Sequence, residues 1–387
     1  MLSQINEITF MNLRNLPSRF GLSSVIVVGI AGVVAVLVGL LSMAAGFTSA
    51  LESAGSADRA IVLREATNNE LSSIMSMDAR RTIGAMEGVA ASTGELYLVT
   101  AIDKKATGTT ANVVIRGVEA ESFTIRPEVK IVAGRNFDTG KSEVIAGIKA
   151  VDQFANLEVG DEIIMRNQPW TVVGHFEADG SSYEGEMWSD LVSTQAAFRS
   201  GGVVSTMRLQ LDSPEDAERL DLQLQDDPRF QVSVISEKEH YATQAQDRAD
   251  IINSFGLGVG AIMAIGAFFA ALNTMYSAVS ARTVEIATLR ALGFGSVPVV
   301  ISVMIEAVVL ALLGGTIGGL LVWFIFDGYT ASTLNNVSFS QVAFDFAVTP
   351  ELLQLGLTWA LVLGVIGGLF PAVHAARLPI TTALRGE

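Results

Sequence analysis

The chain has no cysteine and three histidines in 387 residues. Without thiols there are no disulfides, so a domain outside the cytoplasm must hold together through its own core, for which the length suffices. His175, His240 and His374 lie far apart, with no metal-ligand spacing and no nucleophile motif. The sequence therefore offers no catalytic residue and no metal site. Charge is also scarce. Asp, Glu, Lys and Arg make up 17% of the residues, where a soluble domain carries about a quarter. Half of the chain is hydrophobic and the mean hydropathy is +0.44.

The missing charge is concentrated in four places. Leu22–Phe47, Ile251–Ala281 and Leu352–Ala376 have none, and Ala291–Phe326 has only Glu306. Each is long enough for a spanning helix, which needs about 20 apolar residues. The predicted spans are 22–47, 251–279, 297–326 and 351–373. The first is too long for the apolar region of a cleavable signal, despite the small-residue stretch Ser53–Ala57 behind it. Outside Phe47–Asp250 the basic residues are Arg14, Arg19, Arg282, Arg290, Arg377 and Arg385. They flank the spans on one side, which the positive-inside rule makes cytoplasmic. Both termini (1–21 and 374–387) and the loop 280–296 then lie inside, and 48–250 and 327–350 lie outside. The fold class expected is a membrane protein of the inner membrane. It has four transmembrane helices and a large mixed α/β extracytoplasmic, periplasmic domain inserted between helices 1 and 2.

That outer segment carries 19 basic and 33 acidic side chains, nearly all of the chain's net charge of −15. That argues against nucleic acid or anionic lipid as its partner, and solubility alone accounts for such a charge. Strand patterns run through Glu95–Ile102, Ala111–Val118, Ser142–Ile148, Asp161–Arg166 and Trp170–Phe176. In Ser205–Asp212, Met207, Leu209 and Leu211 alternate with Arg208 and Gln210. A helix capped by Ser213, with Pro214 in its first position, leads to the strand Phe230–Ser236, which makes a β-α-β unit. Residues Glu237–Asp250 continue as helix into the second span, as a stalk. At the N-terminus, Leu2, Ile5, Ile8, Met11 and Leu16 mark an amphipathic helix lying along the membrane surface.

Ala133–Glu143 contains Gly-Lys-Ser and invites comparison with a phosphate-binding loop. Five residues separate Gly134 from Gly140 where that loop has four, a strand pattern follows where it opens a helix, and the segment lies outside. It reads instead as a turn entering a strand. The loop Ser280–Ser296 is more informative. It is helix-compatible up to Gly293, a C-cap. Arg282, Glu285, Leu289 and Leu292 fall on one face, with Ile286 and Arg290 at its edge, a shape suited to docking in a partner's groove. Glu306 is an acid inside a span and is expected to face the bundle, toward Asn273, Thr274 or Ser277, or to be protonated. Gly314 with Gly318, Gly315 with Gly319, and Gly364 with Gly368 have the spacing that lets helices approach closely, within the chain or across a dimer.

Leu272–Gly319 resembles the permease core of the MacB/FtsX superfamily of ABC transporters, the LolC/LolE-like, type VII group. The resemblance rests on Asn273–Met275, Arg282–Ile286, Arg290–Gly293, Glu306–Ala307 and Gly314–Gly319. The tail Gly368–Glu387 resembles the family's closing segment, and Val132–Ala178 resembles the MacB-type periplasmic domain. The resemblance implies a dimeric permease, as homodimer or heterodimer with a second permease, paired with a cytoplasmic ABC ATPase subunit. The segment around Glu285 would be the coupling helix on that ATPase. ATP and Mg belong to the ATPase, and this chain has no cofactor. With about 20 residues before the first span, the ATPase is expected on a separate chain, so the permease is not itself an enzyme. Motion would pass to the outer domain by mechanotransmission, with export through a periplasmic adaptor. Lipoprotein release, or FtsX-like signalling to a cell-wall hydrolase, are the alternatives the family offers.

Overall fold

The computed structural model describes residues 2–14, 20–67, 69–225, 227, 229–335 and 340–377. Parts of the predicted surface helix (Leu16), of the basic flank (Arg19, Arg385) and of the closing segment (378–387) lie outside the described residues. Two helices open the chain, α1 (Leu2–Arg14) and α2 (Phe20–Glu52). There follow β1 (Arg59–Arg64), β2 (Met75–Ser76), α3 (Met77–Ile83), β3 (Val89–Asp103), β4 (Thr110–Val118) and α4 (Glu121–Ile125). Next come β5 (Lys130–Gly134), β6 (Glu143–Gly147), α5 (Ile148–Gln153), β7 (Glu162–Met165), β8 (Gln168–Glu177) and β9 (Met187–Asp190). The segment closes with α6 (Leu191–Phe198), β10 (Val203–Val204), β11 (Thr206–Leu211), α7 (Asp216–Gln225) and β12 (Val232–Ser236). Then come α8 (Glu237–Ala281), α9 (Thr283–Ala291), α10 (Ser296–Phe326), β13 (Thr330–Asn335), β14 (Ser340–Asp345) and α11 (Pro350–Arg377).

The chain divides into two compact units. One comprises 1–45, 250–328 and 347–387, and the other 46–249 and 329–346. Among the described residues four helices, α2, α8, α10 and α11, are long and apolar enough to cross a membrane. A helix satisfies its backbone polar groups internally, as a hydrocarbon surrounding requires, except that Pro371 inside α11 has no N–H to give the Gly367 carbonyl.

In the membrane unit α10 sits between α2 and α11, and its glycines explain how. A Cβ on Gly314 would stand 2.7 Å from the Val27 carbonyl oxygen, and one on Gly318 would strike the Ala31 backbone, both on α2. Gly315 faces Ala360 of α11, and Gly319 faces Leu353. From the other side, Cβ atoms on Gly364 and Gly368 would come within 2.5 Å of Ala311 and 2.6 Å of Ala307. All six glycines are thus used in contacts between helices of one chain. Close approach is the source of attraction here, since lipid tails are as apolar as the side chains.

The outer unit is built on a ten-stranded mixed sheet in the order β12-β1-β11-β3-β4-β9-β6-β8-β5, with β7 paired to β8. β11, α7 and β12 do form the predicted β-α-β sequence, but β1 inserts between the two strands and pairs antiparallel with both. The helix starts at Asp216, later than Ser213–Pro214 suggested, because Asp216 Oδ2 accepts from the Ser213 N–H and stabilises a preceding turn. One core lies under α7, with Leu220 and Leu224 against Val62, Met207 and Leu209. A second surrounds Trp170, Phe154 and Ile115. Ala133–Glu143 joins β5 to β6 as a turn, with Gly134 and Gly140 at positive φ and Arg135 bidentate on Glu143. Hydrogen bonds from Arg135, opposed by partial burial, bring Glu143 down to about 2.

The predicted loop 327–350 is a hairpin, β13–β14, that belongs to the outer unit. Phe344 is fully buried and meets Phe47 edge-on. Asp345 pairs with the buried Lys149 at 3.2 Å.

Buried ion pairs run through the middle of this unit. Arg116 takes Glu186 in a bidentate pair at 2.7 and 2.8 Å and reaches Glu70 and Glu95 with its remaining nitrogen. Arg126 also pairs with Glu95, at 2.5 Å. Arg208 takes Glu70 and Glu237, at 2.6 and 3.0 Å. All seven of these side chains are buried. Burial alone would raise Glu70, but Arg116 and Arg208 outweigh it and bring it to about 2. Glu95 is held lower still, by Arg126 first among its cationic neighbours.

Candidate coupling site

Arg282 stands in the break between α8 and α9, where the chain turns toward α10. Its Nε lies 3.3 Å from the Ala278 carbonyl oxygen, at the C-terminal end of α8 where a cation is favoured. Its Nη2 donates to Glu306 Oε2 at 2.6 Å. Both side chains are nearly sealed, 2% and 4% exposed. One guanidinium therefore ties the end of α8 to the body of α10.

Two expectations are corrected by this pair. Glu306 does not turn to Asn273, Thr274 or Ser277. Asn273 is exposed, and Thr274 and Ser277 each donate to the carbonyl one turn back, at Ala270 and Asn273. Nor does Arg282 belong to an exposed docking face: a buried acid needs a cation, and Arg282 is the one that reaches it. The position of Glu306 fits this. Ten residues, about 15 Å of helix, separate it from the start of α10, and about 30 Å remain between it and Phe326. That remainder alone matches a hydrocarbon core, so Glu306 falls at the margin of the span.

α9 is shorter than the predicted 280–296. It ends as Gly293 predicts. Gly293 takes φ +95°, its N–H donates to Arg290 O, and Phe294 N–H donates to Leu289 O. This paired arrangement satisfies the last carbonyls of the helix and needs a residue free to adopt left-handed φ. Ile286 and Ala287 turn inward and Leu289 is half-buried. Val284, Glu285, Thr288 and Leu292 turn outward, with Val284 56% and Leu292 73% exposed. Arg290 is half-buried and Gly293 exposed. Of the predicted contact residues, the helix thus presents Glu285, Leu292 and Gly293 and withdraws Arg282, Ile286 and Leu289. Val284 and Thr288 share the exposed face, and 284, 288 and 292 repeat every four residues, a helical stripe visible in the sequence.

α1 forms the other wall. It was expected along the membrane surface. Its Asn12 Nδ2 donates to Ser302 Oγ at 2.6 Å, and Ile8 joins Ile286, Val299 and Val303 in one core. Ile8, Met11 and Asn12 face Glu285, Ile286 and Leu289 across a cavity of about 20 Å³, room for about one water. α1, α9 and the first turns of α10 meet at one corner, where Glu285 borders the cavity and is exposed to solvent.

Among the described residues no cluster of three or more acids or histidines could hold a metal. His175 bonds the Leu157 carbonyl, His240 bonds Gln244, and His374 stacks edge-on against Tyr276. Burial pushes His240 down to about 4.

Two family profiles match the chain: "MacB-like periplasmic core domain" over residues 23–227 and "FtsX-like permease C-terminal" over 257–380. Among curated proteins, an uncharacterized ABC transporter permease of Methanocaldococcus jannaschii is 24% identical, over 60% of this chain and 58% of its own length. The macrolide export ATP-binding/permease protein MacB of Campylobacter fetus is 26% identical, over 66% of this chain and 41% of its own. The pyoverdine export ATP-binding/permease protein PvdT of Pseudomonas fluorescens is 29% identical, over 59% and 35%. The chain spans less than two-thirds of the length of each.

Proposed function

This chain belongs to the MacB/FtsX family of ABC transporter permeases, and from that premise we propose that it converts ATP binding and hydrolysis on a cytoplasmic ATPase subunit into motion of its outer domain. The observation that carries the reading is α8. Its 45 residues, about 67 Å, run unbroken from the end of β12 to the corner at Arg282. A displacement of α9 by a docked ATPase would be passed to α8 through the Arg282–Glu306 tie. No wide channel is needed, because substrate is handled on the outer side and pushed onward, with a periplasmic adaptor as receiver. Export is supported by what two of the relatives are named for. The permease acts as a dimer, of two copies or with a second permease. Val284 and Leu292, apolar and exposed around Glu285, supply the kind of anchors that fill a groove.

The absence of cysteine makes the test clean. Leu292→Cys is expected to react with a membrane-impermeant maleimide only from the cytoplasmic side, and to be protected when the ATPase is bound. Ile164→Cys, 66% exposed on the outer unit, is expected to react from outside with or without ATPase. Labelling of Leu292→Cys from outside would refute the orientation, and unchanged labelling with ATPase bound would refute the docking.

A further inference from the structure

The first turn of α8 is built into the outer unit by contacts that fix more than position. Glu237, its first residue, follows β12 with no intervening loop and is fully buried. One carboxylate oxygen accepts from Arg208 Nη1 on β11 at 3.0 Å, and the other lies 2.7 Å from Arg59 Nε on β1, an ion pair without hydrogen-bond alignment. One turn on, Tyr241 is buried as well. Its hydroxyl accepts from Arg208 Nη2 at 3.1 Å and lies 2.8 Å from the Tyr183 hydroxyl. The backbone is confined too. Lys238 N–H donates to the Ser56 carbonyl, and a Cβ at Gly55 would come within 2.8 Å of the Glu237 carbonyl oxygen. Gly55 follows the end of α2, so the outer ends of two spanning helices meet backbone to backbone.

A buried ion pair is a poor way to gain stability, since well-packed apolar side chains of the same volume often do as well or better. Its distinctive property is geometry. A guanidinium binds carboxylates in fixed directions, and a displaced partner leaves a buried charge unmatched. A strand–helix junction without such bonds is a natural hinge, because a few terminal residues can absorb the rotation. Here rotation of α8 about the junction would break the Arg208 bonds to Glu237 and Tyr241 together and part Glu237 from Arg59.

We propose that Glu237 and Tyr241 are positioning residues that key the start of α8 into the buried arginines of the outer unit, so that helix and sheet turn as one body and no motion is lost at the junction. The inference rests on the mechanotransmission reading above.

The test uses the full-length chain assembled with its ATPase in nanodiscs. Spin labels go on Ile164→Cys and Asp247→Cys, both exposed, in one chain, and in a second sample on Ile164→Cys of both copies in the dimer. In the otherwise unaltered protein the 164–247 distance distribution is expected to be narrow and unchanged by trapped nucleotide, while the distance between copies shifts. Glu237→Gln and the milder Tyr241→Phe are expected to widen the 164–247 distribution and to lose the shift between copies, with ATP hydrolysis retained. Tyr241→Phe removes one hydroxyl and keeps the ring packing, so it reports even where Glu237→Gln fails to fold. If the folded variants keep a narrow distribution and the full shift, the keyed junction is wrong. If the protein without these two substitutions shows no shift between copies, the mechanotransmission reading fails instead, and the 164–247 widths still judge the junction.

Discussion

Glu285→Arg is expected to abolish stimulation of the partner ATPase while the permease still folds and enters the membrane. Glu285 is exposed on α9 between Val284 and the core residue Ile286, and borders the small cavity toward α1. An exposed substitution of this kind changes stability by about 0.5 kcal/mol or less. At a docked interface the same reversal removes a favourable charge contact and sets a cation against the group that received the acid. That costs about 2–5 kcal/mol, and each 1.4 kcal/mol is a tenfold loss of affinity. The checks are the ATPase rate of the reconstituted pair and the melting temperature of the permease alone. Stimulation at the unaltered level in the variant would remove α9 from the coupling role. A collapsed melting temperature would mean that Glu285 serves the fold.

The second large effect is expected at the Arg282–Glu306 tie. Arg282→Met or Glu306→Leu alone leaves one buried charge without its partner, which costs about 3–5 kcal/mol. The double substitution leaves none and replaces the pair with apolar side chains of similar reach, so most of the loss is expected to be restored. Thermal unfolding in nanodiscs reads this directly as a double-mutant cycle. If both single variants melt where the unaltered protein does, the 2.6 Å pair does not hold α8 to α10. The double variant carries further information. With stability restored, any remaining loss of ATPase-driven motion measures what the directional bond contributes to transmission.

What the sequence made legible follows from which forces are local. The four spans were legible because charge is excluded from a hydrocarbon core residue by residue, and α9 because Gly293 marks its own helix end. The alternation of Met207, Leu209 and Leu211 placed β11 correctly. Pairings that join distant segments were not legible. Arg282 and Glu306 are 24 residues apart, and nothing local distinguishes a buried arginine at a helix corner from one that faces water. Nothing local marks Arg116, Arg126 or Arg208 as buried either. Each is buried only because a glutamate from another element meets it. β1 entering between β11 and β12, and the hairpin β13–β14 joining the outer unit, likewise depend on contacts far along the chain. At the candidate site the structure turns inward residues that the spacing had put on or beside the outward face. Ile286 and Leu289 pack against α1 and α10, and α1 could not be placed against α9 from its periodicity alone.

The most direct measurement of the central claim is the distance between spin labels on Ile164→Cys in the two outer domains of the reconstituted complex, with and without nucleotide trapped on the cytoplasmic ATPase. The account predicts that the distribution shifts when nucleotide is trapped, and that Glu285→Arg holds it at its nucleotide-free position. A distribution unmoved by nucleotide in a complex that still hydrolyses ATP would contradict it.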